Sequence, residues 1–249
     1  MLKDNLDIAT QKITYSLVIP CYNESDNLEE LVDQCKRLLC DRQDVEVILV
    51  DNGSTDCTPE MLRDLLKNFP TLRIRSIRVK VNKGYGYGIL VGLKECVGDV
   101  LGWTHADLQT DPVDFSIAVS LLEQTKNLEQ IFLKGKRLGR PFKDVFFTWS
   151  MSLIEWIILG VRMWDINAQP TVFSREFFLS WKNPPNDFSI DLFVYHQAIR
   201  RNLSIKRFPV NFGLRLRGQG HNEKLISKIK YSWKTVLFSL ALRKHLKGY

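Results

Sequence analysis

Tyr15-Ser-Leu-Val-Ile-Pro20 is an apolar, β-rich run that ends at a proline and is followed at once by the polar residues Cys21-Tyr-Asn-Glu24. Such a run predicts a buried strand that leads into a polar loop. The pattern recurs at Val45-Glu-Val-Ile-Leu-Val50, which is followed by the turn-forming cluster Asp51-Asn-Gly-Ser-Thr-Asp56. Two buried strands that end in polar residues predict a sheet whose strand ends carry function.

A third buried strand, Val100-Leu-Gly-Trp103, leads into His105-Ala-Asp107-Leu-Gln109. Helices are predicted between these strands, because apolar residues recur at helical spacing over 25–39 and 58–68 and a Gly-interrupted helix follows at 84–96. The run 72–79 alternates apolar with basic residues, which is typical of a strand near a sheet edge. Alternating strands and helices predict a parallel, doubly wound sheet with its ligand at the carboxyl ends of the strands.

Those strand ends place Glu24, Asp51 and Asp107 on one rim of the predicted sheet. Their carboxylates can accept hydrogen bonds from a base and ribose, or bind a hard cation. Clustered carboxylates repel each other, so a metal or another cationic ligand is expected there.

The five cysteines form no CxxC pair, and no zinc-type spacing joins them to the four histidines.

Four ordered motifs carry a family resemblance: Ser16–Glu24, Val50–Asp56, Asn82-Lys-Gly-Tyr-Gly86 and Ala106–Pro112. Together they resemble the family 2 glycosyltransferases of the GT-A fold, above all the dolichol-phosphate mannose synthase-like and polyprenyl-phosphate glycosyltransferase branch. The resemblance implies an α/β fold with a Rossmann-like, mostly parallel central sheet flanked by helices and a C-terminal acceptor-side extension. Residues 1–135 would form the nucleotide-sugar-binding half, 136–221 the acceptor-side half and 222–249 a basic amphipathic helix.

The resemblance also implies roles for the residues of the rim. The nucleoside would be held by Pro20, Tyr22, Glu24 and Asp51, with Lys83 near the nucleotide sugar. The divalent metal on the diphosphate, Mg²⁺ or Mn²⁺, would be bound by Asp107 and Gln109, and Asp107 would therefore be catalytic. Oxygen ligands of this kind suit both ions, and the metal would offset charge on the departing nucleoside diphosphate.

His105 departs from the family pattern, which has Asp-x-Asp where this chain has His105-Ala-Asp107. Three interpretations stay open. His105 can be a metal ligand through a ring nitrogen, which favours Mn²⁺ over Mg²⁺. It can instead contact only phosphate or ribose, or its presence can mark weakened or lost catalysis.

The acceptor side departs too, because Ala168-Gln169-Pro170 stands where that branch commonly has Ser-Gly-Phe-Arg. Gln169, Arg175 and Arg215 are the predicted acceptor contacts. A sugar hydroxyl as acceptor needs a general base, for which Asp187 and Asp191 are the candidates, although Asp187 can equally cap a helix. A lipid phosphate needs no base but needs basic residues. Arg217 and His221 are candidate phosphate contacts or plain solvated residues.

The net charge of +7 is unevenly spread: the first 200 residues carry 23 basic and 27 acidic groups, whereas residues 201–249 carry twelve Lys and Arg against one acid. A basic tail predicts an anionic partner. The helix expected over 222–246 suits an anionic membrane surface or docking on the domain. The aromatic segment 142–164, with Trp149, Trp156 and Trp164, predicts either a buried core helix or an interfacial helix.

From the sequence we therefore expect an inverting, hexosyltransferase-like enzyme. It would move a sugar from a nucleotide-sugar donor to a polyprenyl phosphate or a lipid-linked or surface glycan. It would be cytoplasmic, on the inner face of a membrane through peripheral contact, and would not bind nucleic acid, since no nucleic-acid motif accompanies the basic tail. The alternative is a catalytically weak or inactive nucleotide-sugar-binding protein.

Overall fold

The computed structural model describes residues 14–125, 127–213 and 225–247, with the side chains of the last range from 232 to 244. The strands are β1 (Tyr15–Cys21), β2 (Val45–Asp51), β3 (Ile74–Arg78), β4 (Val100–Trp103), β5 (Ile131–Leu138), β6 (Thr171–Ser174) and β7 (Ser204–Asn211). The α-helices are α1 (Leu28–Asp41), α2 (Thr58–Lys67), α3 (Tyr85–Glu95), α4 (Asp114–Glu123), α5 (Phe142–Leu159), α6 (Arg175–Leu179), α7 (Ile190–Arg200) and α8 (Leu225–Lys247).

All the described strands join one sheet in the order β3-β2-β1-β4-β6-β5-β7. β6 runs antiparallel to both of its neighbours, and the remaining pairs are parallel. The carboxyl ends of β1, β2, β4, β5 and β7 therefore meet at one edge of the sheet. The predicted mostly parallel α/β sheet is confirmed. β3 is an outermost strand of this sheet, as the alternating basic residues indicated.

Two hydrophobic cores cover the two faces of the sheet. Alternate residues of β1 point into different cores: Leu17 and Ile19 pack with α1, α2 and α4, whereas Val18 packs with α3, α6 and α7. This alternation follows from the period of two in a strand. Helices on both faces explain why the central strands are continuous apolar runs.

β5 spans the boundary that the sequence suggested between residues 135 and 136, so both proposed halves share one sheet.

α5 is shorter than the predicted aromatic helix. It ends at Leu159, because Gly160 takes a left-handed φ of 73°, and Trp164 therefore lies beyond it. Glu155 is the one buried residue of α5. The interpretation of this segment as a buried core helix is therefore wrong. Among the described residues no helix has the length and apolar character needed to cross a bilayer.

Candidate active site

The polar loops that follow β1, β2 and β4 are neighbours in space, and we call residues 22–24, 51–54 and 104–110 the donor rim. Cys21 pairs with Asp51 in the sheet register. The Asn52 amide donates to the Cys21 carbonyl at 2.8 Å, and the Thr104 amide donates to the Val18 carbonyl at 3.1 Å. Strand β1 thus brings together the polar segments that the sequence placed on one rim.

Asp51 and Asn52 offer buried acceptors on this rim. Asp51 Oδ1 accepts from the Ser54 amide at 2.9 Å, while Oδ2 is 3.3 Å from Arg78 Nε without an aligned hydrogen bond. Asn52 Oδ1 is buried and also has no hydrogen-bond partner among the described residues. Buried acceptors left unsatisfied are costly, so a donor supplied by a ligand or by water would stabilise these two.

The other predicted nucleoside contacts line the same place to different degrees. Tyr22 and Glu24 are half-buried, and Glu24 Oε2 accepts from Asn27 Nδ2 at 2.6 Å. Pro20 is buried within β1, so it can shape the floor of the site. Lys83 is exposed, with its ammonium 5.1 Å from the centre of the Tyr87 ring.

In the segment 104–110, every second side chain is partly exposed to solvent. His105, Asp107 and Gln109 are half-buried, whereas the residues between and beside them are buried. Thr104 Oγ1 and Thr110 Oγ1 are 3.1 Å apart and tie the two ends of the segment together. Asp107 Oδ1 accepts from the Gln109 amide at 3.2 Å, which orients the carboxylate. The segment therefore offers a carboxylate, a side-chain amide and an imidazole to one ligand.

These donors fit a divalent cation only in part. The described residues contain no group of three His, Cys, Asp or Glu side chains able to hold a metal. One carboxylate with an amide oxygen and an imidazole leaves several positions for phosphate and water, which is how Mg²⁺ and Mn²⁺ are commonly held beside substrate phosphates. The residues fit a metal that is shared with a diphosphate.

Tyr85, at the start of α3, packs between the metal motif and the acceptor side. Its ring stacks on Phe188 at 4.8 Å and on His105 at 5.5 Å between centroids, and its hydroxyl is 3.4 Å from His105 Nδ1. Burial, and then the negative charges of Asp191 and Asp107, raise the pKa of Tyr85 well above its ordinary value. The phenol therefore keeps its proton at neutral pH.

The loop before Tyr85 fixes this ring in place. Gly84 has a φ of 115°, and a Cβ there would come within 2.4 Å of the Asn186 carbonyl oxygen; a Cβ on Gly86 would come within 2.6 Å of the Pro185 carbonyl oxygen. The Tyr87 amide donates to the Asn186 carbonyl at 2.9 Å, and Asn52 Nδ2 donates to the Gly84 carbonyl at 2.9 Å. Glycines are required because the two backbones touch.

A cluster of arginines from β5, from the loop after β5 and from β7 surrounds Asp165. Arg137 Nε donates to Asp165 Oδ1 at 2.9 Å, Arg140 Nη1 is 3.4 Å from the same oxygen, and Arg207 Nη2 is 3.7 Å from Oδ2. Burial acts to raise the pKa of Asp165, but the Arg137 hydrogen bond and the three guanidinium charges hold it below its ordinary value. Asp144 also acts electrostatically on Arg140, so three guanidiniums face two carboxylates and one positive charge is in excess.

This arginine cluster lies beside the metal motif. The guanidiniums of Arg137 and Arg140 are 5.0 and 5.8 Å from the centre of the Phe212 ring. The next residue, Gly213, donates its amide to the Gln109 carbonyl at 2.9 Å. The sequence interpretation missed these arginines, although Arg137 and Arg140 occupy the same strand-end position that marked the donor rim.

A family model described as glycosyl transferase family 2 matches residues 16–152, which include all the donor-rim segments. The chain belongs to this family. It is 36% identical over 213 residues to the dolichol-phosphate mannosyltransferase of Pyrococcus furiosus, covering 82% of this chain and 58% of the relative. It is 36% identical over 115 residues to the undecaprenyl-phosphate 4-deoxy-4-formamido-L-arabinose transferase of Pseudomonas fluorescens, covering 44% and 32%. The chain thus spans between a third and three fifths of these relatives.

Solved structures show the same GT-A fold. Glucosyl-3-phosphoglycerate synthase from Mycobacterium tuberculosis, in complex with Mn²⁺, UDP and glucosyl-3-phosphoglycerate, has a TM-score of 0.70 at 20% identity, over 94% of this chain and 80% of that one. A mannosyltransferase from Pyrobaculum calidifontis in complex with GDP-mannose and Mn²⁺ has a TM-score of 0.66 at 19% identity, over 94% and 70%. These likenesses confirm the predicted GT-A fold.

On the acceptor side of this family 2 chain, a buried network corrects two predictions. Lys134 Nζ donates to Thr171 Oγ1 at 2.7 Å, Thr171 Oγ1 donates to Gln169 Oε1 at 2.9 Å, and Gln169 Nε2 donates to Asp191 Oδ1 at 2.6 Å. Lys134 Nζ is also 3.5 Å from Asp191 Oδ1, and all four side chains are buried. Gln169 and Asp191 are enclosed by protein partners, so their predicted contacts with acceptor and attacking hydroxyl are wrong.

Arg175 is a third correction. Its amide donates to the Asp99 carbonyl at 2.8 Å, and its guanidinium donates to the carbonyls of Cys96 and Gly98 at 2.8 Å each. These carbonyls precede β4, whereas the donor rim follows it. The antiparallel direction of β6 carries Arg175 to the opposite edge of the sheet, which the loop resemblance did not anticipate.

Asp187 does not cap α7, because the N-cap of that helix is Ser189. Its Oδ1 accepts from the Ser189 amide at 2.9 Å, which forms a turn two residues before the helix. It is half-buried and directly follows the Pro185–Asn186 backbone on which Gly84 and Gly86 pack, so it also borders the Tyr85 site. The predicted contacts Arg215, Arg217 and His221 lie outside the described residues.

Proposed function

We propose that this chain is an inverting glycosyltransferase that transfers a sugar from a nucleotide-sugar donor to a polyprenyl phosphate. The observation that carries the proposal is the pairing of an open donor rim with a cationic cluster at the same sheet edge. The rim supplies unsatisfied acceptors for a nucleoside and weak ligands for a metal–diphosphate. The family membership supports the transferase chemistry, and both curated relatives named above are transferases whose names specify dolichol or undecaprenyl phosphate.

The nucleotide sugar would lie along the donor rim. Asp51 Oδ2 and Asn52 Oδ1 would accept hydrogen bonds from the nucleoside. Asp107 and Gln109 would hold the divalent metal on the diphosphate, Mg²⁺ or Mn²⁺, and Lys83 is free to move towards the phosphates from its exposed position. The metal, when bound, supplies positive charge where the leaving diphosphate develops negative charge.

The acceptor would approach through the arginine cluster. The excess positive charge of the arginine cluster, beside the Gln109–Gly213 contact, suits a phosphate monoester more than a neutral sugar hydroxyl. A phosphate oxygen is already ionised at neutral pH, so no enclosed base such as Asp191 is needed. The oxygen attacks the anomeric carbon from the face opposite the diphosphate, the new glycosyl–oxygen bond forms and the bond to the nucleoside diphosphate breaks, with inversion.

A membrane-facing surface adjoins this acceptor side. On α5 the exposed large apolar side chains are Phe142, Phe146, Phe147, Trp149, Ile154, Trp156 and Ile157. α8 packs against α5 and adds the exposed residues Trp233, Leu237 and Leu240 together with exposed Lys234, Arg243 and Lys244. Aromatic and basic side chains on adjoining helices are the composition of an interfacial surface. We infer peripheral contact with the inner face of an anionic membrane, where a polyprenyl phosphate would be met.

The function is tested by a screen of nucleotide sugars by thermal shift, followed by transfer assays with Mg²⁺ and with Mn²⁺. We expect one donor to raise the melting temperature and to release its nucleoside diphosphate only when polyprenyl phosphate is added. Release with unphosphorylated polyprenol or a glycan, and none with polyprenyl phosphate, would overturn the acceptor assignment. Binding without release under any condition would favour the alternative of an inactive nucleotide-sugar-binding protein, for which the sparse metal site is the supporting observation.

The acceptor position is tested with Arg140→Ala, which leaves Asp165 paired with Arg137 and Arg207. We expect KM for polyprenyl phosphate to rise about tenfold, the loss of one charge-assisted contact, with KM for the nucleotide sugar unchanged. The matched control is Arg37→Ala, an exposed arginine on α1. If both variants have the same KM for polyprenyl phosphate, Arg140 does not bind the acceptor.

The membrane contact is tested by flotation with vesicles that contain anionic lipid and with neutral vesicles. We expect the wild type to float with the anionic vesicles, and the double variant Phe146→Ser, Ile157→Ser to stay behind. The control pair Val97→Ser, Leu179→Ser removes apolar side chains that are 59% and 71% exposed but lie away from α5 and α8. If both double variants behave alike, the α5–α8 surface is not the contact.

A further inference from the structure

His105 and Tyr85 are in contact through one ring nitrogen of the histidine. The Tyr85 hydroxyl is 3.4 Å from His105 Nδ1, and the two rings stack with an angle of 27° between their planes. With Nδ1 occupied by the tyrosine, only Nε2 of the imidazole is available to a ligand. The chemistry of His105 in the site therefore depends on which nitrogen carries the proton.

Tyr85 cannot easily leave this position. Phe188 also stacks on its ring, with an angle of 12° between the two planes. The backbone on both sides of Tyr85 is pressed against Pro185 and Asn186, because Gly84 and Gly86 leave no room for a Cβ. A ring held by a stacked neighbour and by its own backbone is a rigid support for a neighbouring side chain.

The direction of the hydrogen bond follows from the chemistry of the two groups. A phenol has an ordinary pKa of about 10 and is protonated at neutral pH. Its oxygen lone pair is delocalised into the ring, so the group donates more readily than it accepts, whereas an unprotonated imidazole nitrogen is a strong acceptor. When the hydroxyl donates to Nδ1, the ring proton of a neutral His105 resides on Nε2.

We propose that Tyr85 is a positioning residue that holds His105 as the Nε2–H tautomer, so that His105 donates a hydrogen bond to a diphosphate oxygen instead of ligating the metal. The tautomer is a property of the free protein. The diphosphate contact rests on the proposed function. A nitrogen that carries a proton has no lone pair for a cation, so Asp107 is left as the charged metal ligand of this segment.

An N–H group at His105 changes how nucleotide binding depends on the metal. Where a second carboxylate would repel the diphosphate in the absence of metal, an N–H group attracts it in the presence or absence of metal. The chain should therefore retain part of its nucleotide affinity in a chelator, and that part should depend on His105 and on the Tyr85 hydroxyl.

The tautomer is tested first, by NMR of the imidazole nitrogens in free protein at pH 8. His105→Gln identifies the His105 signals among those of the four histidines. We expect the wild type to show the proton on Nε2, and Tyr85→Phe, which keeps the ring stack, to shift His105 towards a mixture of tautomers. Tyr195→Phe, a buried tyrosine on α7, is the control and should leave the signals unchanged. A proton on Nδ1 in the wild type, or no change in Tyr85→Phe, overturns the proposal.

The contact is tested second, by titrating UDP and GDP into the protein in EDTA and in Mn²⁺. We expect His105→Ala to weaken the better ligand about tenfold in both conditions, and Tyr85→Phe to weaken it less but also in both. A loss confined to Mn²⁺ would make His105 a metal ligand and overturn the contact. If the wild type binds neither nucleotide and no nucleotide sugar in the thermal-shift screen, the proposed function and this contact both fail, whereas the tautomer result still decides the role of Tyr85.

Discussion

The donor rim and the buried acceptor-side network use the same kinds of side chain in opposite ways. At the rim Asp107 is half-buried, and Asp51 has a buried oxygen without a hydrogen bond. In the network Asp191 is 2% exposed and is matched by Lys134 and Gln169. Unsatisfied polar groups are costly unless a ligand completes them, whereas satisfied ones hold the framework together. We therefore expect the rim to bind the ligand and the network to support the rim.

Asp107→Asn should have the largest effect, and the effect should fall on activity alone. The substitution keeps the shape of the side chain and removes its charge, so it takes away the charged ligand for a metal on the diphosphate. We expect kcat/KM to fall on the order of 10³-fold, in line with several kcal/mol of charge stabilisation. Chemical denaturation should give a free energy of unfolding within about 0.5 kcal/mol of wild type. A fall of less than tenfold would contradict the assigned role.

Asp191→Ala should do the reverse and act on stability. It leaves the ammonium of Lys134 buried without its carboxylate, and such a loss typically costs about 3–5 kcal/mol of unfolding free energy. Burial already lowers the pKa of Lys134 to about 8, against the opposing charge of Asp191. The variant can therefore shed this proton, and its destabilisation should be smaller at pH 9 than at pH 7. The paired variant Lys134→Met, Asp191→Leu should recover most of the loss. If Asp191→Ala unfolds at the same denaturant concentration as the wild type, the network does not stabilise the fold.

Glu155 tests a third situation, a buried carboxyl that has no cation paired with it among the described side chains. Its Oε2 accepts from Ser239 Oγ of α8, its Oε1 has no partner, and burial raises its pKa to about 7 from the ordinary 4.5. Between those two values the folded protein binds more protons than the unfolded one, so this group makes stability fall as pH rises from about 4.5 to 7 and then level off.

Glu155→Gln removes that slope and keeps an acceptor for Ser239. We expect the variant to be more stable than wild type at pH 8, by up to about 3 kcal/mol, and to converge with it near pH 4.5. Urea unfolding across this pH range measures the difference. Parallel curves for the two proteins would mean that Glu155 titrates normally.

Arg175→Ala should have the smallest effect on activity. The side chain bonds carbonyls at the edge opposite the donor rim, so its removal should cost about 1–3 kcal/mol of stability and change kcat/KM less than twofold. Steady-state kinetics with polyprenyl phosphate provides the measurement. If the KM for the acceptor rises as much as in Arg140→Ala, Arg175 contributes to acceptor binding after all.

The strands and the donor rim were predictable because their signals are local. A continuous apolar run ended by polar residues specifies a central strand and its carboxyl end, and this held for β1, β2 and β4. The segment with His105, Asp107 and Gln109 was recognisable for the same reason. Its departure at His105 was also visible, but the partner of His105 was not, since Tyr85 lies twenty residues earlier on another element.

The sequence by itself determined the parallel α/β sheet, the family and the edge at which ligands bind, because periodicity, strand ends and motif spacing act over short stretches of chain. Only the tertiary structure decided which polar side chains are free to bind. Gln169 and Asp191 resemble site residues in the chain, but they are buried and bonded to each other beside Lys134, and the antiparallel course of β6 carries Arg175 to the opposite end of the strands. The same packing placed Arg137, Arg140 and Tyr85 near the donor rim. Burial and pairing depend on contacts between distant segments, and no local pattern records them.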